Sequence, residues 1–94
     1  MIFYHGTSKD NWGKIQKEGV LWGFSNHSGY RYTYLTPELN IAKKYGEVIL
    51  EVEYEPIGVE GRGIDNYGFN PPKDMTCWQF SVFIPITIDN IKVI

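Results

Sequence analysis

Residues Val48 to Tyr54 constrain this chain more than any other stretch. Val48, Leu50 and Val52 alternate with Ile49, Glu51 and Glu53, the period of a strand with one face buried and one face wet. A strand of that kind needs partners to cover its apolar side. The chain supplies them as short β-prone runs rather than as one long helix. Met1 to His5 is apolar and aromatic and stops at Gly6. Tyr32-Thr33-Tyr34-Leu35 is β-prone, and Thr76 to Ile84 has strand composition. Pro85 to Asn90 reads as a turn into a last strand, Ile91 to Ile94.

Two short helices are expected between these strands. Thr7 or Ser8 can cap the first, with Trp12 and Ile15 three residues apart on one face and Gly19 ending it in a left-handed conformation. Thr36 is expected to cap the second, with Pro37 and Glu38 in its first turn. Leu39, Ile41, Ala42 and Tyr45 would form its buried stripe, and Gly46 would close it. Residues 23 to 30 read as a Gly/Ser/Asn-rich connection. Pro56 to about Asp74 carries four Gly and several Pro with little periodicity, a length typical of lids and binding loops. These elements describe one α+β domain spanning residues 1–94.

The composition is consistent with that reading and excludes several function classes. Seven Tyr, five Phe and three Trp offer large buried areas to a chain of 94 residues, near the lower size for a core without staples. A net charge of −2 gives no electrostatic footprint for nucleic acid or an anionic membrane. The single cysteine, Cys77, has no internal disulfide partner, and with two histidines it does not make a metal cluster. No apolar run reaches bilayer length and the N-terminus lacks a basic-then-apolar signal segment, so a reducing, cytoplasmic compartment is expected.

Three motifs stand in order along the chain. His5-Gly6-Thr7 ends the first apolar run, Tyr34-Leu35-Thr36 ends a second, and Ala42-Lys43-Lys44-Tyr45 ends the second helix. Near the C-terminus Gln79-Phe80-Ser81-Val82-Phe83-Ile84-Pro85-Ile86 is followed by Asn90-Ile91. In this order and spacing the chain resembles the ADP-ribosyltransferase superfamily of the His-Tyr-Glu type, over most of its length except residues 55 to 78. The resemblance implies a compact split β-sheet core with two short helices and NAD as substrate, without a metal. It implies that Tyr34 and Tyr45 stack on nicotinamide and that the Gly6 main chain reads the carboxamide. His5 would bond the adenine-side ribose, and Thr7 or Thr36 would add a hydroxyl contact. Arg31 is a candidate for the pyrophosphate, or an exposed surface arginine. The catalytic set implied is His5, Tyr34 and Gln79, and the acceptor a protein or nucleic acid.

One position departs from the family pattern. Gln79 stands where the family has glutamate, and an amide supplies a hydrogen bond but no negative charge. Three outcomes fit: a slow or substrate-assisted mono-ADP-ribosyltransferase, an acid relocated to Asp65 or Asp74, or a module that binds NAD or ADP-ribose-type nucleotides, or a partner protein, without cleavage. An RNA 2′-phosphotransferase-like enzyme ranks last, because Arg31 and Arg62 are the only arginines. Read singly, the same residues have plainer roles: His5 as a backbone-satisfied histidine, the tyrosines as core aromatics, Cys77 as a packed small hydrophobe. Glu51 and Glu53 read as solvent-facing charges.

Overall fold

The opening apolar run forms strand β1, Ile2–Thr7, which continues through Gly6 and Thr7 where the sequence suggested a stop. The computed structural model describes residues 1–23, 31–56, 61–62 (main chain) and 80–94. Gln79, Asp65, Asp74, Cys77 and the 23–30 connection beyond Gly23 lie outside the described residues. Strand β1 pairs antiparallel with β4, Val48–Glu53, and β4 pairs with β8, Ile91–Val93, giving the order β1-β4-β8. In the β1–β4 register Phe3 faces Val52 and His5 faces Leu50, so the apolar alternation of β4 is matched on its neighbour.

A second antiparallel sheet has the order β3-β6-β5, from Thr33–Leu35, Phe80–Val82 and Gly61–Arg62. The two-residue β5 falls inside the stretch read as structureless. Strand β2, Val20–Leu21, pairs with β7, Ile86–Thr87, and a 3₁₀ turn over Ile88–Asn90 leads into β8. The sequence suggests no element at Val20–Leu21 and places Ile86–Thr87 in a turn, because two-residue pairs are too short to show a period. The chain is thus a small α+β fold of several antiparallel sheets and two short helices.

The core lies between the sheets. Phe3, Leu50 and Val52 come from the first, Leu35, Phe80 and Val82 from the second, and Leu21 and Ile86 from the third. Phe3 and Phe80 meet edge to face at 4.9 Å across the seam. Each such side chain contributes about 1.5–3 kcal/mol by leaving water. Helix α1, Lys9–Glu18, starts at Ser8, whose hydroxyl accepts the Asn11 N–H, and ends at Gly19 with φ 78°. Trp12 and Ile15 lay its inner side on the core, as their spacing suggests.

Helix α2 differs from expectation. It covers only Leu39–Ala42, and its N-cap is Glu38 rather than Thr36. The Thr36 hydroxyl accepts the Glu38 N–H at 3.1 Å, a local turn that sets the chain up for the helix without capping it. After Ala42 the bonds tighten: Lys44 and Tyr45 donate three residues back, to Ile41 and Ala42. Tyr45 therefore leaves the helix path and is 48% exposed, where the sequence pattern placed it on a buried stripe. Ile41 and Ala42 are buried. Among the described residues, no helix is long and apolar enough to cross a membrane.

Candidate functional site

The site begins where β1 and β3 part. Tyr4 and Thr36 exchange two main-chain bonds, Tyr4 N–H to Thr36 C=O at 2.7 Å and Thr36 N–H to Tyr4 C=O at 3.1 Å. This isolated bridge is the whole of the pairing between the two strands. One residue further along β1, the His5 Nδ1 donates to the Tyr34 carbonyl at 2.8 Å. A carbonyl only accepts, so Nδ1 carries the hydrogen. Beyond this point the strands splay, and a pocket of about 390 Å³ opens between them.

The face of β1 that is core at Phe3 becomes pocket wall at His5 and Thr7. In an antiparallel ladder, main-chain groups two residues apart point the same way. Gly6 therefore turns its N–H and C=O in the direction used by Tyr4, toward β3 and the pocket. Its missing side chain has a packing reason too. A Cβ there would lie 1.9 Å from the Ala42 carbonyl oxygen, and one at Gly46 would lie 2.2 Å from the Thr7 carbonyl oxygen. The two glycines let the 42–46 segment lie flat on β1, which carries Tyr45 to the pocket rim.

Seven residues of the three motifs line this pocket: His5, Gly6, Thr7, Tyr34, Thr36, Ala42 and Tyr45. Arg31 does not. It lines an adjoining pocket of about 460 Å³ that shares His5, Thr7, Asn11 and Gly23 with the first. There its guanidinium lies 4.3 Å over the Trp22 ring, and Nη2 pairs with the Glu18 carboxylate at 2.8 Å. Its Nε and Nη2 also donate to the Gly23 and Trp22 carbonyls. Arg31 thus serves first as a clamp that ties the start of β3 to the end of α1.

Sequence reasoning missed other wall residues. Tyr4, Tyr32 and Asn11 also line the first pocket, so four tyrosines surround it. Tyr32 and Tyr34 meet edge to face at 5.2 Å, and Tyr32 also approaches Phe83 at 6.0 Å. The period of two was the available signal, since Tyr32 and Tyr34 must share a face of an extended strand. Asn11 is brought in by α1, whose first turn abuts the end of β1.

Among the described residues, no Asp, Glu, Lys or Arg lines the first pocket. Burial pushes the His5 imidazole below its ordinary pKa of 6.5, partly offset by the bond to the Tyr34 carbonyl. At neutral pH the ring is therefore uncharged, with the Nε2 lone pair left as an acceptor. Flat aromatic walls, main-chain donor and acceptor, and hydroxyls suit an uncharged planar amide beside a sugar. Among the described residues, no three His, Cys, Asp or Glu side chains cluster as metal ligands. Compared with family models, curated proteins and solved structures, the chain matches none of them.

Proposed function

We propose that this chain is an ADP-ribosyltransferase-like domain that takes NAD as substrate and transfers ADP-ribose to a protein or nucleic-acid acceptor. One observation carries the reading: seven residues from three separated motifs line one pocket, with the Gly6 main chain turned into it. Nicotinamide is flat and bears a carboxamide, which needs one donor and one acceptor held side by side. The N–H and C=O of Gly6 supply both, and Tyr34 and Tyr45 supply faces for the ring. An aromatic pair of this kind contributes roughly 0.5–1.5 kcal/mol beyond the area buried. The adjoining pocket shares His5 with the first, which suits a dinucleotide laid across both, with the Nε2 acceptor facing a ribose hydroxyl.

In the reaction the bond from ribose to the nicotinamide nitrogen breaks. Its electron pair stays on nicotinamide, which leaves neutral, and positive charge develops on the sugar. A nucleophile of the acceptor bonds to the anomeric carbon and gives up its proton. Gln79 follows directly before Phe80 of β6, and by the resemblance its amide would bond the nicotinamide-side ribose.

A second reading has its own support. Among the described residues the lining carries no charge to stabilise a cationic sugar, and such stabilisation is often the largest catalytic term. A module that binds NAD or ADP-ribose-type nucleotides without cleaving them fits that lining. The phosphotransferase reading fits worst, since no described arginine or lysine lines the pocket. Incubation of the protein with labelled NAD and cell extract, followed by mass spectrometry, separates these. ADP-ribose adducts are expected for the transferase. Calorimetric binding of NAD without adducts or released nicotinamide would leave the binding module, and no binding at all would sink both.

A further inference from the structure

We propose that His5 is a positioning residue that keeps the pocket open, a wedge preventing β1 and β3 from pairing one step further. Tyr4 and Thr36 form a mutually bonded antiparallel pair. The next such pair in that ladder is two residues along each strand, Gly6 with Tyr34. No such pairing forms, and the bridge stays isolated. The Tyr34 carbonyl, which the Gly6 N–H would otherwise reach, is taken at 2.8 Å by the imidazole Nδ1. The side chain of one residue thus replaces the main chain of the next. It holds the strands at ring's width, and it leaves the Gly6 N–H and C=O facing the pocket.

This role is separate from any contact made through Nε2, since Nδ1 alone makes the bond to Tyr34. It is also a property of the free chain. Only its consequence for nicotinamide rests on the function proposed above. Protonating the ring leaves the hydrogen on Nδ1, so the wedge bond persists in both charge states.

Two substitutions at His5 separate wedge from ligand contact. Asparagine carries its amide nitrogen near the place of Nδ1 and keeps that donor, whereas alanine has none. Amide hydrogen exchange by NMR on the free protein is the first readout. In His5→Ala the Gly6 N–H is expected to close onto the Tyr34 carbonyl and exchange roughly three- to tenfold more slowly than in wild type. In His5→Asn it should stay near the wild-type rate. Binding of free nicotinamide is the second readout, with about tenfold weakening in His5→Ala and recovery of most of it in His5→Asn. If Gly6 exchange in His5→Ala is unchanged or faster while the Leu50 amide stays protected, the wedge is wrong. It is equally wrong if His5→Asn behaves as His5→Ala. Should His5→Ala fail to fold, His5→Gln, whose amide takes the place of Nε2, replaces it with the same slowing expected. Slowed Gly6 exchange in a protein whose wild type ignores nicotinamide would uphold the wedge and overturn the nicotinamide reading.

Discussion

The imidazole of His5 reaches the main-chain carbonyl of Tyr34, 29 residues away in sequence, with Nδ1 and oxygen 2.8 Å apart. The bond joins the first two motifs of the chain directly. It fixes the ring's tautomer, while burial, against the pull of this bond, keeps the ring uncharged at neutral pH.

Replacing Gly6 with alanine should destabilise the fold as well as narrow the pocket. The added Cβ would lie 1.9 Å from the Ala42 carbonyl oxygen, a main-chain atom that moves only if α2 moves. Overpacking of this kind costs typically 1–3 kcal/mol. Each kcal/mol lowers the melting temperature of a domain this size by roughly 4–8 °C. Thermal unfolding followed by circular dichroism checks it, and an unchanged Tm for Gly6→Ala would mean that α2 does not rest on β1 as described.

Tyr45→Ala should separate binding from stability. The side chain is 48% exposed, outside the core, so the melting temperature is expected to move little. Affinity for nicotinamide-bearing ligands should fall about ten- to hundredfold, the loss of one stacked ring. Affinity for ADP-ribose should change less. Equal losses for NAD and ADP-ribose in calorimetry would show that Tyr45 does not face nicotinamide.

The His5 titration gives a pH signature. Burial holds its folded pKa below the ordinary 6.5, so between those two values the unfolded chain binds the proton and the folded chain does not. The contribution is fully present above 6.5 and is lost as pH falls through 6.5 toward the folded value. Denaturant unfolding across that range should show stability rising with pH, and His5→Asn should remove that part of the slope. An NMR titration placing the His5 pKa at or above 6.5 would contradict it.

Gln79 decides between transferase and binder. In the transferase, Gln79→Ala should slow nicotinamide release because a ribose hydrogen bond goes unmade. Gln79→Glu should speed it by setting negative charge opposite the cationic sugar, with part of the gain appearing as NAD hydrolysis. One well-placed electrostatic contact can change such rates by about 10²–10³. Chromatography of released nicotinamide for wild type and both variants is the measurement. No release from any of the three, alongside NAD binding, would assign the chain to the binding module.

Arg31→Ala should cost stability first. The change removes the pair with Glu18, the stack on Trp22 and two carbonyl contacts at once. A loss of about 1–3 kcal/mol in unfolding free energy is expected. A variant as stable as wild type that binds NAD more weakly would instead make Arg31 a ligand contact.

Local chemistry made much of this fold legible in the sequence. The alternation from Val48 to Glu53 announced β4, whose Leu50 and Val52 meet the core while Glu53 meets water, although Ile49 on that second face is also buried. The Thr7-Ser8 pair and Gly19 announced both ends of α1, since a hydroxyl cap and a left-handed residue are needs of the helix itself, and the structure selects Ser8. The His-Gly-Thr, Tyr-Leu-Thr and Ala-x-x-Tyr motifs named seven residues that share one pocket. Tertiary structure decided what depends on contacts between distant segments. The β2–β7 pair is two residues long and exists only because its strands are brought together. Tyr45 left its expected buried stripe because α2 tightens after Ala42, and Gly6 and Gly46 let that segment lie against β1. Arg31 was drawn into the neighbouring pocket by Glu18 and Trp22, which no spacing in the sequence links to it. The parting of β1 from β3 likewise rests on a side chain answering a carbonyl 29 residues away, a choice made only once both strands are in place.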